Sequence, residues 1–528
     1  MPSRRVTRAP GRERQRGLVA LLLCAVMISV SAPPTRAASP PTAQPPTVSF
    51  VLNHTLTSVK VPVGVTWPEA TRGDTKVARY KLQVSRDEGP WSAVTLSTAL
   101  ARSATVKLRP GMLSRFRVRA VDTAGLASAW ATAGPNWLAL VHDGDPDINT
   151  TGIWTASNVT SAYGGRLHTS IDAGATATYT FHGKQVAWVA PLGPDRGQAH
   201  VSTTGKPAKT VDLLAGNSEP RRIVFTQGWD EAAERSIQVA VDGTPGRPRV
   251  DFDALLTLGP PRTTVLVGAG DIATCEYAND EATAAVVKST AGTVFTTGDN
   301  VYQTGTSIEF RECYGPSWGQ FRERTRPAAG NHDYKANSTA APYFKYFGAR
   351  AGTPGQAWYA YDSGTWRVYS LNSNCPYVGG CTTSSAQYAW LEADLAANPR
   401  RCVAAYWHHP RFSSGRHGGT TAMHDITTLL YDRGAEVVVA GHDHSYERFA
   451  PMTPTGATDS QRGIRNFVVG TGGGLLYAPG TVAAPNSEVL ETQTYGVLKL
   501  TLDWSGYAWK FLAAGAGTFT DSGTDTCH

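Results

Sequence analysis

The sequence predicts a multidomain protein in which two all-β modules precede an α/β domain. Three observations carry this. At 528 residues the chain is too long for one hydrophobic core, and about three domains are expected. Up to about residue 258, apolar and polar residues alternate in short runs broken by Gly, Pro and Asp, the pattern of half-buried strands. From Arg262 onward, apolar strands alternate with helix-length segments, the pattern of a sheet built with crossovers.

Residues 1–38 read as an export signal. Arg4, Arg5, Arg8, Arg12, Arg14 and Arg16 form a charged start, residues 17–32 are apolar, and Thr35-Arg36-Ala37-Ala38 offers small residues for cleavage. The alternative is a single membrane anchor, but the apolar run is short for a span, so no transmembrane anchor is expected after cleavage. This segment carries seven Arg and one Glu, which accounts for six of the chain's seven net positive charges. The remainder has no basic field to argue for nucleic acid. Residues 39–47 are a Pro-rich linker with no core to make.

Cys24 falls in the signal, and Cys275, Cys313, Cys375, Cys381, Cys402 and Cys527 remain. An even number in an exported chain points to disulfides, with the connectivity open. The expected pairs are Cys375–Cys381 as a tight loop and Cys402–Cys527 as a clamp on the C-terminus, leaving Cys275–Cys313. Metal ligation is the alternative, but no C-x-x-C spacing occurs.

Residues 48–138 contain alternating strands over 61–67, 78–84 and 116–122. With Trp67, Tyr80 and Leu108-Arg109-Pro110 ahead of Phe116, the stretch resembles a fibronectin type III β-sandwich, which as a spacer needs no ligand. Residues 139–260 are a second β module, with strands over 175–181, 185–190, 199–202 and 236–241. Its Tyr163-Gly164-Gly165 and Arg249-Val250-Asp251-Phe252-Asp253 segments are similar to galactose-binding-like jelly rolls. That resemblance implies a role on cell-wall or extracellular glycan. Trp154, Trp188 and Trp229 fit a core as well as a sugar platform.

The α/β domain spans 262–528. A strand over 264–267 ends at Gly268-Ala269-Gly270-Asp271. A helix follows over 280–288, with acids at its start and Lys at its end, as the helix dipole prefers. A strand over 293–297 ends at Gly298-Asp299-Asn300. Another over 401–407 ends at His408. The apolar Val437-Val438-Val439-Ala440 leads into Gly441-His442-Asp443-His444-Ser445-Tyr446-Glu447-Arg448. Segments 466–469 and 495–500 supply further sheet.

The polar residues at or near these strand ends are Asp271, Asp299, Tyr302, Asn331, His408, His442 and His444. Strand ends of open α/β sheets converge, so one site can hold them all. Carboxylate, imidazole, amide and phenolate donors suit a pair of divalent or trivalent ions better than thiolate-loving metals. Five motifs in order, Gly270-Asp271, Gly298-Asp299-Asn300-Val301-Tyr302, Gly330-Asn331-His332-Asp333, His408-His409-Pro410 and Gly441-His442-Asp443-His444, resemble those of calcineurin-like metallophosphoesterases. Within that family they resemble the purple acid phosphatases. Many relatives carry a His two residues after the first Asp. Here it is Ala273, and Tyr302 stands where the purple enzymes supply a phenolate instead.

The resemblance assigns Asp271, Tyr302 and His444 to one metal and Asn331, His408 and His442 to another, with Asp299 bridging. It implies Fe³⁺ at the Tyr302 site and Fe, Zn or Mn at the second. The implied reaction is hydrolysis of a phosphate monoester by hydroxide generated at the ion pair. His332 matches the family's general acid, with Asp333 to orient it. His417 and Asn300 are expected to contact substrate, and His409 is ambiguous beside His408. A phosphodiesterase or nucleotidase on the same metals is the near alternative. A glycan-binding surface protein with an inert third domain is the distant one. Export suits phosphate scavenging outside a bacterial cell.

Overall fold

A computed structural model describes residues 38–57 and 59–528. The expected export signal therefore lies outside the described residues, apart from Ala38. No helix among the described residues is long and apolar enough to cross a membrane.

The first β module packs two sheets. Thr47–Phe50, Val61–Thr66 and Ser103–Leu108 form one; Val77–Arg86, Ser92–Val94 and Leu113–Asp122 contribute to the other. Alternation decides the faces: Tyr80, Leu82 and Val84 are buried, as are Phe116, Val118 and Ala120. Trp67 meets Tyr80 edge-on at 6.0 Å, and the Tyr80 hydroxyl accepts the Ala70 N–H at 2.9 Å.

The second module differs from expectation in one respect. Segments 175–181 and 185–190 belong to one strand, Thr176–Leu192, and a register shift between Gly183 and Gln185 absorbs the break. Its partner Glu219–Val241 runs 23 residues, of which only the last few alternate in the way the sequence reading detected. Trp188 is wholly buried and stacks on Phe252, so of the three tryptophans it is plainly core.

The two β modules are not separate bodies. Strand Asn136–His142 crosses the boundary expected at 138/139 and pairs with Leu113–Asp122 on one side and Ala254–Gly259 on the other. An 11-stranded sheet therefore runs through both. Ala187, Val189 and Leu256 of the second module sit in one apolar cluster with Val63, Phe116 and Val118 of the first. Gln185 bonds Val48 and Phe50 across the join, at 2.6 and 3.0 Å.

In the α/β domain the strands are β1 (Thr264–Ala269), β2 (Thr293–Thr297), β3 (Thr325–Ala328), β4 (Tyr359–Ser363), β5 (Trp366–Ser370), β6 (Val403–Tyr406) and β7 (Ala435–Ala440). They continue as β8 (Tyr446–Phe449), β9 (Arg465–Val469), β10 (Ser487–Glu491), β11 (Gly496–Leu502), β12 (Gly506–Ala513) and β13 (Ser522–Thr526). One sheet has the order β3-β2-β1-β11-β12-β13 and the other β4-β5-β6-β7-β9-β8-β10. β1, β2 and β3 run parallel, as do β5, β6, β7 and β9. The sheets share a core of Leu266, Val294, Phe295, Ala404, Tyr406, Val437 and Val439. The opposite faces of β6 and β7, through Val403, Ala405 and Val438, pack on a second cluster with helices Ala386–Ala397 and His424–Asp432. Burial on both faces explains why β7 reads as an unbroken apolar run. The expected helix is Asn279–Ser289, with Asp280 and Glu281 in its first turn and Lys288 in its last.

All three expected disulfides form: Cys275–Cys313, Cys375–Cys381 and Cys402–Cys527. The last fastens the chain end to the start of β6, where His528 also pairs with Glu436 at 2.6 Å.

Candidate metal centre

The parallel strands of both sheets deliver the polar residues to one place. Asp271 lies two residues past β1, Asp299 two past β2, Asn331 three past β3, His408 two past β6 and His442 two past β7. Tyr302 comes from the loop after β2, and His444 from the turn into β8. Three of these residues, Asp271, Asp299 and His442, hold left-handed backbone with φ of 59°, 47° and 71°. Non-glycine residues adopt this at a cost of about 1–3 kcal/mol each, and such strain gathers at functional sites. The motif glycines answer to close approach. An added β-carbon at Gly330 would overlap the Asp299 backbone nitrogen and carboxylate, and one at Gly441 would lie 2.6 Å from Asp271 Oδ2.

The side chains form two overlapping groups. Tyr302 Oη lies 2.8 Å from Asp271 Oδ1, 2.9 Å from His444 Nε2 and 3.2 Å from Asp299 Oδ2. His408 Nε2 lies 2.9 Å from Asn331 Oδ1, 3.2 Å from His442 Nδ1 and 3.3 Å from Asp299 Oδ2. Asp299 Oδ2 belongs to both, which is where a bridging ligand must stand.

This packing has too few protons for its contacts. His408 Nδ1 is 2.9 Å from the Thr297 carbonyl and His444 Nδ1 is 2.5 Å from the Leu475 carbonyl, so both Nδ1 atoms carry hydrogen. In a neutral ring each Nε2 is then a lone pair; that of His444 faces the Tyr302 hydroxyl, which can donate to it at 2.9 Å, and that of His408 faces Asn331 Oδ1, Asp299 Oδ2 and His442 Nδ1. Around His408 Nε2 the oxygens of Asn331 and Asp299 are lone pairs too, and a proton or a metal cation there relieves them. In the protein alone a proton does so: burial pushes the His408 pKa down, but Asp299, Asp271 and the Thr297 carbonyl together lift it to about 9. Burial, with the carboxylates of Asp271 and Asp299, holds the Tyr302 phenol well above its ordinary pKa. Burial and the neighbouring His408 push His442 down to about 3. Hard oxygen and imidazole donors, paired lone pairs and fixed tautomers fit a cation pair.

His332 lies beside the cluster. Its backbone N–H donates to Asp299 Oδ1 at 2.7 Å, its Nδ1 donates to the Gln303 carbonyl at 2.7 Å, and its ring meets Tyr302 edge-on. Lys335 Nζ stands 2.7 Å from His332 Nε2, a neighbour the sequence reading missed. His417 is exposed at the rim, with its ring 4.7 Å from that of His442. Two expectations do not match the geometry. Asn300 is wholly buried and its amide is engaged by Thr296, the Ala328 carbonyl and Asp333, so it presents nothing to a substrate. Asp333 does not touch the His332 ring; its Oδ2 accepts the Gly330 N–H at 2.8 Å and the Asn300 amide at 2.9 Å, tying two motif turns together.

Other unanticipated residues support the site. Tyr477 stacks on His444 at 4.1 Å. Buried Asp443 accepts bonds from Ser413 and the His417 backbone, and Glu447 holds Ser414, so both anchor the 413–417 loop. Asp443 and Glu447 were visible in the Gly441–Arg448 stretch as acids beside ligands, and nothing local assigned them a partner.

Residues 265–446 match the calcineurin-like phosphoesterase family. Purple acid phosphatase 21 of Arabidopsis thaliana is 29% identical over 168 residues, covering 28% of this chain and 38% of that protein. Human acid phosphatase type 7 is 26% identical over 146 residues, covering 23% of this chain and 32% of that protein. The matched regions thus span about a third of the length of these curated relatives. Among solved structures, a purple acid phosphatase from yellow lupin seeds superposes with a TM-score of 0.42 at 15% identity, over 88% of this chain and 93% of that one. The chain carries a calcineurin-like phosphoesterase domain with purple acid phosphatases among its relatives.

Proposed function

We propose that this protein is an exported dinuclear-metal phosphatase acting on phosphate monoesters. The observation that supports the reading is the convergence of two donor sets on Asp299 Oδ2: Tyr302, Asp271 and His444 on one side, and His408, Asn331 and His442 on the other. Asp271, Tyr302 and His444 would hold one ion, Asn331, His408 and His442 the other, and Asp299 both. A phenolate donor favours Fe³⁺ in the first position, with Fe, Zn or Mn in the second. Bound ions supply an acidified water as nucleophile and offset the charge of the phosphoryl group. His332 would pass a proton to the leaving alkoxide through Nε2, since Nδ1 is engaged by Gln303, once the Lys335 ammonium that faces Nε2 gives way. His417 meets the phosphoryl group from the rim. Three disulfides support an oxidising compartment, and with it export.

The test is metal content together with turnover of p-nitrophenyl phosphate against bis-p-nitrophenyl phosphate. Two ions per chain and preference for the monoester are expected. No bound ions and no hydrolysis of either ester would return the protein to an inert domain behind β modules. Preference for the diester would make it a phosphodiesterase on the same site.

A further inference from the structure

We propose that His409 gives the second ion a third imidazole, beside His408 and His442. The inference rests on the dinuclear reading above and sharpens the identity of its second metal. The three rings are neighbours, with centroids 4.8 Å apart for His408 and His409 and 4.5 Å apart for His409 and His442. One donor atom from each of the three lies within 4.8 Å of the others. Nitrogens on one tetrahedral zinc ion stand about 3.4 Å apart, so the three rings would draw in by about 1 Å to share it.

The ring is also held the way a ligand is held. Metal-bound histidines give their other nitrogen to a fixed partner, which sets tautomer and orientation. His408 does this with the Thr297 carbonyl and His444 with the Leu475 carbonyl. His409 has a hydroxyl in that place: Ser373 Oγ accepts the His409 backbone N–H at 2.8 Å and lies 2.8 Å from Nδ1. In the tautomer where Nδ1–H donates to that hydroxyl, Nε2 is the lone pair an ion would take. Ser373 is itself buried. The adjacent Asn374 amide donates to the Ala329 carbonyl at 2.9 Å, just ahead of Asn331, and the Cys375–Cys381 disulfide closes the same segment. One wall therefore braces both His409 and Asn331.

Three imidazoles with one amide oxygen and a shared carboxylate make the second position rich in nitrogen. Such a set prefers zinc or another imidazole-binding transition metal over magnesium or calcium.

The experiment uses the full exported chain, stripped of metal and titrated with zinc against a chromophoric chelator, with magnesium as competitor. Wild type is expected to take two ions, and His408→Ala to lose the second. His409→Ala should keep its fold by circular dichroism but bind the second ion at least about 10-fold more weakly, with a smaller zinc-over-magnesium preference. His409→Gln, which retains a polar contact to Ser373, should lose affinity to the same extent, and Ser373→Ala should lose less. Unchanged zinc affinity in both His409 variants would overturn the proposal, as would a loss confined to inorganic phosphate binding. Two retained ions in His408→Ala would instead sink the dinuclear reading.

Discussion

Tyr302 is the residue on which the chemistry of the proposed first ion turns. Its hydroxyl touches Asp271, Asp299 and His444, and nothing in the protein alone allows it to ionise. A violet charge-transfer band in the purified, iron-loaded protein therefore reports this phenolate, and Tyr302→Phe should abolish the band. A band that survives the substitution would place the iron elsewhere. Gly330→Ala tests position rather than charge. With the Asp299 backbone in the way, the β-carbon must displace Asp299, the proposed bridging ligand, and a misplacement on the order of 1 Å costs about 100-fold in turnover. Asp253, far from the site, gives a pH prediction. It is wholly buried, and burial together with Asp143 raises its pKa to about 7, although the Tyr163 N–H bonds one oxygen. A raised carboxyl binds its proton more tightly in the folded state, so its contribution is present below the unfolded pKa and lost as pH rises toward 7. The size is on the order of 2–4 kcal/mol. Asp253→Asn should flatten that fall, so that thermal midpoints at pH 4.5 and pH 8 draw together. An unchanged pH profile would show that Asp253 is ionised in the fold.

At the scale of elements, the ligand-bearing turns were legible because each follows a buried strand that the apolar pattern announces. β2 matches its expected bounds, and β7 and β9 extend theirs only at the start. What was hidden is the second layer of contacts. Asn300 looked like a substrate residue beside Asp299, yet its side chain turns inward to Thr296 and Asp333, a direction no spacing reveals. Ser373 and His409 are 36 residues apart, and only the fold makes them partners. The 413–417 loop makes the same point: it carries His417, and its anchor Asp443 lies within the Gly-His-x-His motif. Asp443→Asn should loosen that anchor, raising KM for phosphate esters about 10-fold while changing kcat less, because the ligands themselves stay in place. Equal losses in kcat and kcat/KM would show instead that the metals moved. The Cys402–Cys527 bond closes the longest covalent loop of the described residues, 125 positions, and replacing both cysteines with serine should cost about 2–5 kcal/mol.

The whole molecule departs most from its sequence reading at the join between the β modules. Composition and turn spacing divide this region into two β units at 138/139. They were drawn as beads on a string because local alternation says nothing about which strands pair across a boundary. The sheet that passes through Asn136–His142 makes them one body. A chain cut at 138/139 should therefore yield two halves that fail to fold alone. Residues 40–260 together should unfold in one cooperative step by circular dichroism. Independent folding of either half would contradict the shared core.

The left-handed backbone at Asp271, Asp299 and His442 has a practical consequence for whoever dissects this protein. Asparagine tolerates that conformation far better than alanine. Alanine scanning there would confound a lost donor with a reshaped turn. Asparagine replacements swap the donor and leave the loop's path intact, which makes them the cleaner controls at these three positions.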